Sequence, residues 1–423
     1  MKVKFIHAAD IHLDSPFLGL ERYEGAPVEY VRSATRVAFQ NLVNLALEEK
    51  VDLVLLAGDL YDGDWRDYNT GLFFASQVAK LREAGIKVFL VRGNHDAASQ
   101  ITHVLRLPDN VKVLSTHQPE SAVLEDLGVV IHGQSFHTPA VTEDLSRGYP
   151  LPRKGYFNIG LLHTCASGRE GHESYAPCDI NYLKNKGYDY WALGHVHKAE
   201  IISKEPWIVF PGNTQGRHIR EEGAKGCTVA QVCDGRLESL EHHSLDVLRW
   251  SRCMIDAAGA ETFEEIMQRA EKKIDEELSK CEGRLLALRV IVFGACEIHR
   301  KLVNNLHGLK NNLRSLAAER GPEAVWLEKV KVETTPKASM EDLVASYPVA
   351  SLLRYIKELS KDNHFLQELT SELDRDKNAL PADLFKKGEI DPADINYLQS
   401  LLPEVEAIIL SRLLEKEGFS SEV

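Results

Sequence analysis

An α/β fold is predicted for the first 245 or so residues, from three observations. Short, nearly uninterrupted apolar runs alternate with stretches of helical periodicity. The runs are too short for helices and too apolar for half-exposed strands, which suits strands buried on both faces. Finally, polar residues follow each run at its C-terminal end, where open α/β sheets place their ligands.

The elements follow in order. VKFIHAA (Val3 to Ala9), VDLVLLAG (Val51 to Gly58), KVFLVRG (Lys87 to Gly93), YFNIGLLH (Tyr156 to His163) and YDYWALGH (Tyr188 to His195) are the expected strands. Between them, Ser33 to Lys50 and Asn69 to Glu83 carry helical periodicity, and Gly85 stands where a helix C-terminus favours glycine. A second region, about Leu248 to Thr335, reads as a small β-α-β-α-β unit, with Thr262 and Glu265 spaced as a capping box. From Pro336 onward the pattern is helical, opened by a Ser339–Asp342 cap and interrupted near Pro381 and Pro392. Its last helix aligns Leu398, Leu402, Val405, Ile409 and Leu413 on one face. We therefore expect domains at 1–245, 246–335 and 336–423.

Composition narrows the function classes. Hydrophobic residues make up 44% and charged residues 27%, ordinary for a globular chain. No apolar run approaches the ~18 residues of a membrane span. The first apolar stretch is about five residues, shorter than the core of a signal peptide, so a cytosolic location is expected. Seven cysteines, none in a CxxC pair, argue against a zinc ribbon or a disulfide framework. The net charge of −13 disfavours gripping nucleic acid by bulk electrostatics. It leaves room for a nuclease, because bound divalent cations invert the local potential.

Five blocks carry the chemistry: Asp10-Ile-His12, Gly58-Asp59, Gly93-Asn94-His95-Asp96, His163 and Gly194-His195-Val196-His197. Each alone is weak, since a histidine at a strand end is often structural. Together they bring oxygen and imidazole donors to one end of a sheet, with glycines before three of them allowing tight turns. Such groups are costly to bury unpartnered, and a metal pair accounts for all of them.

This ordered set resembles the calcineurin-like metallophosphoesterase superfamily. The runs AADIHLDSPF, AGDLYDGDW, GREGHESYAPC, GYDYWALGHVHK and PGNTQGRHIREEGAKGC resemble, more narrowly, SbcD-type DNA-repair exonucleases of the YhaO-like branch. The resemblance implies a β-sandwich flanked by helices, with a smaller α+β capping domain that positions DNA and a helical C-terminal region. It also implies the ligands. One metal takes Asp10, His12, Asp59 and His197; the other takes Asp59, Asn94, His163 and His195, with Asp59 bridging. Oxygen and imidazole ligation without thiolate suits Mn²⁺, with Fe, Zn or Co as alternative occupants. His95 is implied to stabilise the transition state or protonate the leaving oxygen. Asp96 is expected to orient His95, or else to serve as a cap or turn residue. Where several relatives carry a second catalytic histidine, this chain has Asp62, which either holds a ligand imidazole or sits in a turn.

The expected activity is two-metal hydrolysis of DNA phosphodiester bonds, exonucleolytic or endonucleolytic on single strands. Arg217, His218 and Arg220, with Lys198 and Lys225 nearby, are candidates to hold the phosphate backbone, or else form a solvated loop. Two alternatives stay open: a phosphodiesterase or phosphatase acting on small nucleotides, and a scaffold of the same fold without catalysis. The resemblance further implies an SMC-like ABC ATPase (SbcC-type) as partner and a homodimer. The stripe through Leu402, Val405 and Ile409 either docks that ATPase or packs within the chain.

Overall fold

The computed structural model describes residues 2–15, 27–62, 68–98, 106–166, 176–321 and 323–337, together with 362–376 and scattered positions between 355 and 408. The strands are β1 (Lys2–Ala8), β2 (Leu53–Ala57), β3 (Lys87–Val91), β4 (Val111–Val113), β5 (Glu120–Leu124), β6 (Val129–Gly133), β7 (Phe157–His163), β8 (Tyr190–Gly194), β9 (Glu200–Lys204), β10 (Trp207–Phe210), β11 (Gly226–Cys233), β12 (Arg236–Ser244), β13 (Leu248–Asp256), β14 (Leu285–Cys296) and β15 (Val325–Pro336). Two six-stranded sheets run in the orders β12-β11-β1-β2-β3-β4 and β5-β6-β7-β8-β10-β9, and a three-stranded sheet in the order β13-β14-β15. Mixed sheets flanked by helices give the α/β class that the alternating pattern predicts. All five expected strands form.

The parallel pairing of β1 with β2 and of β2 with β3 puts their C-terminal ends at one edge. In the second sheet β7 and β8 pair in the same sense. Side-chain alternation explains how one strand serves two cores. In β1, Val3 and Phe5 join Leu55, Phe89, Ile131, Ile159 and Tyr190 in the apolar layer between the sheets. Its Ile6 and Ala8 face the other way, against Phe39 and Leu42 of helix α1 (Val28–Glu48) and Phe74 and Val78 of α2 (Tyr68–Glu83). The outer face of the second sheet buries Trp191, Leu193 and Phe210 under Phe136, Leu145 and Tyr149. Each such side chain contributes about 1.5–3 kcal/mol on burial, so the strand ends are held from both sides.

By its contacts the chain divides into two compact units. One comprises Met1–Ile255, Met267–Ile291 and Lys310–Lys331; the other comprises Asp256–Ile266, Val292–Leu309 and Val332–Val423. The expected capping pair precedes a helix (Phe263–Ser279): Thr262 Oγ1 accepts from Glu265 N at 3.3 Å, while the Glu265 carboxylate receives Glu261 N rather than Thr262 N. The Ser339–Asp342 cap, Pro381, Pro392, Ile409 and Leu413 lie outside the described residues. Leu398 is buried, Leu402 is half-buried and Val405 is exposed.

Candidate metal centre

All five chemistry-bearing blocks start at, or within two residues of, the end of a strand, and backbone bonds join their loops. Asp10 N donates to Gly58 O at 3.0 Å, His12 N to Asp59 O at 3.0 Å and Leu13 N to Leu60 O at 2.9 Å. The segments after β1 and β2 therefore run together as one ribbon. Thr164 N donates to Gly194 O at 3.0 Å, which does the same for the segments after β7 and β8. Asp10, His12, Asp59 and His195 all adopt positive φ (52°, 47°, 52° and 103°), a conformation costly for residues with a Cβ.

The side chains converge. Ligating atoms of Asp10, His12 and His197 lie within 4.8 Å of one another, and so do those of Asp59, His163 and His195. His12 Nε2 is 3.4 Å from His197 Nε2, and His197 Nε2 is 3.7 Å from Asp10 Oδ1. In the second group His163 Nε2 is 3.2 Å from His195 Nδ1 and 3.1 Å from Asn94 Oδ1. Asp59 Oδ2 stands between the groups, 3.9 Å from His12 Nε2 and 3.5 Å from His163 Nε2. Its Oδ1 accepts from His95 N at 3.0 Å. The structure thus gathers the six other expected ligands around Asp59.

This donor set fits divalent cations. Burial pushes the Asp10 and Asp59 carboxyls upward, and Asp59 adds to the shift at Asp10; a cation between them would reverse that cost. Burial likewise keeps His163 neutral, its pKa lowered to about 3, and lowers His12 and His197. Neutral imidazoles offer the lone pairs a metal needs. His163 Nδ1 is 2.9 Å from Ala57 O, which turns Nε2 toward the cluster. A Cβ on Gly58 or Gly93 would overlap His163 or the Asp59 carboxylate; these glycines make room for donors.

Around the ligands the structure both corrects and adds. Asp96 does not orient His95. Its carboxylate accepts from Tyr61 N (2.9 Å) and Gly93 N (3.0 Å) in the buried interior, so it ties the loops after β2 and β3 together. Asp62 stands beside His95 instead: its Oδ1 lies 3.2 Å from His95 Nδ1 and 3.3 Å from His12 Nδ1, and its Oδ2 accepts from Ser15 Oγ at 2.8 Å. Burial acts to raise Asp62, but the His12 and His95 imidazoles beside its Oδ1, with Arg217 beyond them, hold it well below the usual carboxylate range. Burial acts to lower His95, yet Asp62 and Asp59 together raise it. His95, on the short helix α3 (Asn94–Ala98), keeps a side chain 38% exposed and so reaches solvent.

Of the expected phosphate contacts, Arg217 turns inward, with Nη1 3.7 Å from Asp62 Oδ1 and Nη2 3.3 Å from Glu221 Oε1. His218 and Arg220 are exposed. Lys225 is buried and donates to His197 O at 2.8 Å, so it serves the loop rather than a phosphate. Glu221, which the sequence did not single out, is buried and receives His197 Nδ1 at 2.7 Å. Its only signal was a place in the PGNTQGRHIREEGAKGC run.

A helix-flanked pair of mixed sheets, with carboxylates, an amide and imidazoles clustered at the strand ends, defines a metal-dependent phosphoester hydrolase. The chain belongs to the calcineurin-like metallophosphoesterases: residues 3–199 match the calcineurin-like phosphoesterase family and residues 250–335 the middle domain of metallophosphoesterase YhaO. It is 34% identical over 346 residues to the uncharacterized metallophosphoesterase YhaO of Bacillus subtilis (strain 168), covering 80% of this chain and 84% of that one. It is also 26% identical over 235 residues to the DNA double-strand break repair protein Mre11 of Sulfurisphaera tokodaii, covering 53% of this chain and 57% of that one. The Mre11 of Saccharolobus solfataricus gives 26% over 236 residues, again 53% and 57%. The chain thus spans little more than half the length of these two Mre11 relatives. Among the described residues no helix is long and apolar enough to cross a membrane.

Proposed function

We propose that this chain hydrolyses DNA phosphodiester bonds with two divalent cations, Mn²⁺ being the best match to the donors. The observation that carries the reading is the double cluster joined at Asp59, with His95 exposed at its edge. Asp10, His12, Asp59 and His197 would hold one cation, and Asp59, Asn94, His163 and His195 the other. Such a pair, when bound, clamps the attacking and leaving oxygens of an in-line displacement. His95, whose protonated form Asp62 favours from 3.2 Å, is the proton donor for the leaving oxygen. Arg217, held inward by Asp62 and Glu221, adds positive charge beside the centre, and His218 and Arg220 meet the backbone farther out. The similarity to proteins named for double-strand break repair supports DNA as substrate. An SMC-like ATPase docked on the C-terminal helices, a homodimer and action in the cytosol are parts of the same proposal.

The net charge of −13 favours a second reading, a phosphodiesterase for small nucleotides. One experiment separates the two. End-labelled single- and double-stranded DNA, bis-p-nitrophenyl phosphate and a phosphate monoester are offered with Mn²⁺ to the wild type and to His95→Ala. DNA shortening by the wild type, reduced about 10²–10⁴-fold in a fully metal-loaded His95→Ala, is expected. Hydrolysis confined to monoesters or small nucleotides defeats the nuclease, and an undiminished His95→Ala removes the proton donor.

A further inference from the structure

We infer that Glu221 is the positioning residue for His197, giving the Asp10–His12–His197 group an anionic support of its own. The inference rests on the two-cation reading and adds to it a difference between the two sites.

The geometry is specific. Glu221 is buried, and both carboxylate oxygens are engaged. Oε1 accepts from His197 Nδ1 at 2.7 Å, with Arg217 Nη2 3.3 Å away. Oε2 accepts from Arg217 N at 2.7 Å and from Asn213 Nδ2 at 2.9 Å. Asn213 in turn pairs with Ala9 at the end of β1, so the carboxylate is anchored to the strand that leads into Asp10. A carboxylate at Nδ1 demands an N–H there, which leaves the lone pair on Nε2. Nε2 is the atom facing Asp10 and His12. Lys225, bonded to His197 O, fixes the backbone of the same residue. Across the centre, His163 Nδ1 faces the neutral carbonyl of Ala57. An anion behind an imidazole strengthens it as a ligand more than a carbonyl does.

Glutamine cannot replace Glu221 here. Its single oxygen must meet the two N–H donors of Arg217 and Asn213 on one side, or His197 Nδ1–H on the other. Whichever is chosen, an NH₂ group faces a donor. The relaxed alternative moves the His197 proton to Nε2 and blocks the ligand position.

The test is Mn²⁺ binding to the full chain, read by calorimetry and by electron paramagnetic resonance without any nucleic acid. The wild type should bind two Mn²⁺ with a spin-coupled spectrum. Glu221→Gln should bind one of them about 10–100-fold more weakly, leaving an uncoupled six-line spectrum at intermediate Mn²⁺ while its metal-free circular dichroism still shows a folded chain. Glu222→Gln, which removes the neighbouring charge from the Arg252 pair without touching His197, should keep both sites. Two wild-type affinities in Glu221→Gln overturn the inference, as does equal loss at both sites or the same loss in Glu222→Gln. Should Glu221→Gln fail to fold, ¹⁵N chemical shifts of histidine in the metal-free wild type decide instead. His197, assigned by its disappearance in His197→Gln, must carry its proton on Nδ1, and a proton on Nε2 refutes the inference. A chain that passes these tests but cuts no DNA refutes the nuclease reading alone.

Discussion

Substituting Gly93 by alanine is the smallest perturbation that should disable the centre. A Cβ there would overlap the Asp59 carboxylate and lie 2.9 Å from Asp59 N. Neither side yields easily. Asp59 sits at φ 52° with its carbonyl oxygen bonded to His12 N, while Gly93 N is held by Asp96 at 3.0 Å. Relieving the overlap requires moving the proposed bridging carboxylate by something on the order of 0.5–1 Å, and misplacements of that size cost roughly 100-fold in rate. Gly85→Ala is the matched control. Gly85 has φ 75° and open space around its Cβ position, so the cost is about 1–2 kcal/mol of stability and no activity. The assay compares metal content and bis-p-nitrophenyl phosphate hydrolysis in the two variants, each checked for folding. Gly93→Ala with two metals and wild-type turnover would refute the claim that the glycine exists to admit Asp59.

Two further predictions concern stability. His7 is fully buried, with Nδ1 3.0 Å from Tyr190 Oη and Nε2 3.1 Å from Leu193 O, and burial lowers its pKa to about 3. Its folded value lies below the unfolded one, so the unfolded chain binds the extra proton. Stability is fully present above about 6.5 and lost as pH falls toward 3, on the order of 5 kcal/mol in all; His7→Gln should flatten that acid limb by one proton, and an unchanged slope in urea melts would count against it. In β14 and β15, Arg289 grips the buried Glu328 carboxylate through two bonds of 2.6 and 2.7 Å. Glu328→Gln should cost about 2–4 kcal/mol, against under about 0.5 for Glu282→Gln at the exposed Arg284 pair; equal melting midpoints would contradict this.

What the sequence revealed depended on where each residue lies relative to a buried strand. Asp10, Asp59, His163 and His195 sit at strand ends whose apolar runs are unmistakable, so their convergence followed from parallel order. Strands such as β9 (EIISK) and β12 (RLESLEHHS) are half-exposed at sheet edges, and their mixed composition hides them. Asp96 misled because it adjoins His95 in sequence. On the one-turn helix α3, successive side chains point about 100° apart, so Asp96 enters the core while His95 faces out. The true neighbour, Asp62, comes from a different loop. Glu221 is 24 residues from His197, in a loop without periodicity, and only the tertiary fold joins them.

The positive φ angles at Asp10, His12, Asp59 and His195 set a constraint on the whole molecule. Each costs on the order of 1–2 kcal/mol, a sum comparable to the net stability of an ordinary domain. Glycine would remove the strain, but it offers no ligand. The loops must present a donor just past a buried strand while their backbone stays bonded to a neighbouring loop, so ligand and strained backbone coincide. Interlocking backbone bonds hold these turns, and His195 N donates to both oxygens of Asp10, at 3.1 and 2.9 Å. Beneath them the apolar layers on both faces of each sheet fix the strand ends. A cation that binds only the folded chain adds stability by mass action. It would therefore repay part of the strain that creates its own site, which makes a stiff double-sheet scaffold and a tight metal centre one physical requirement.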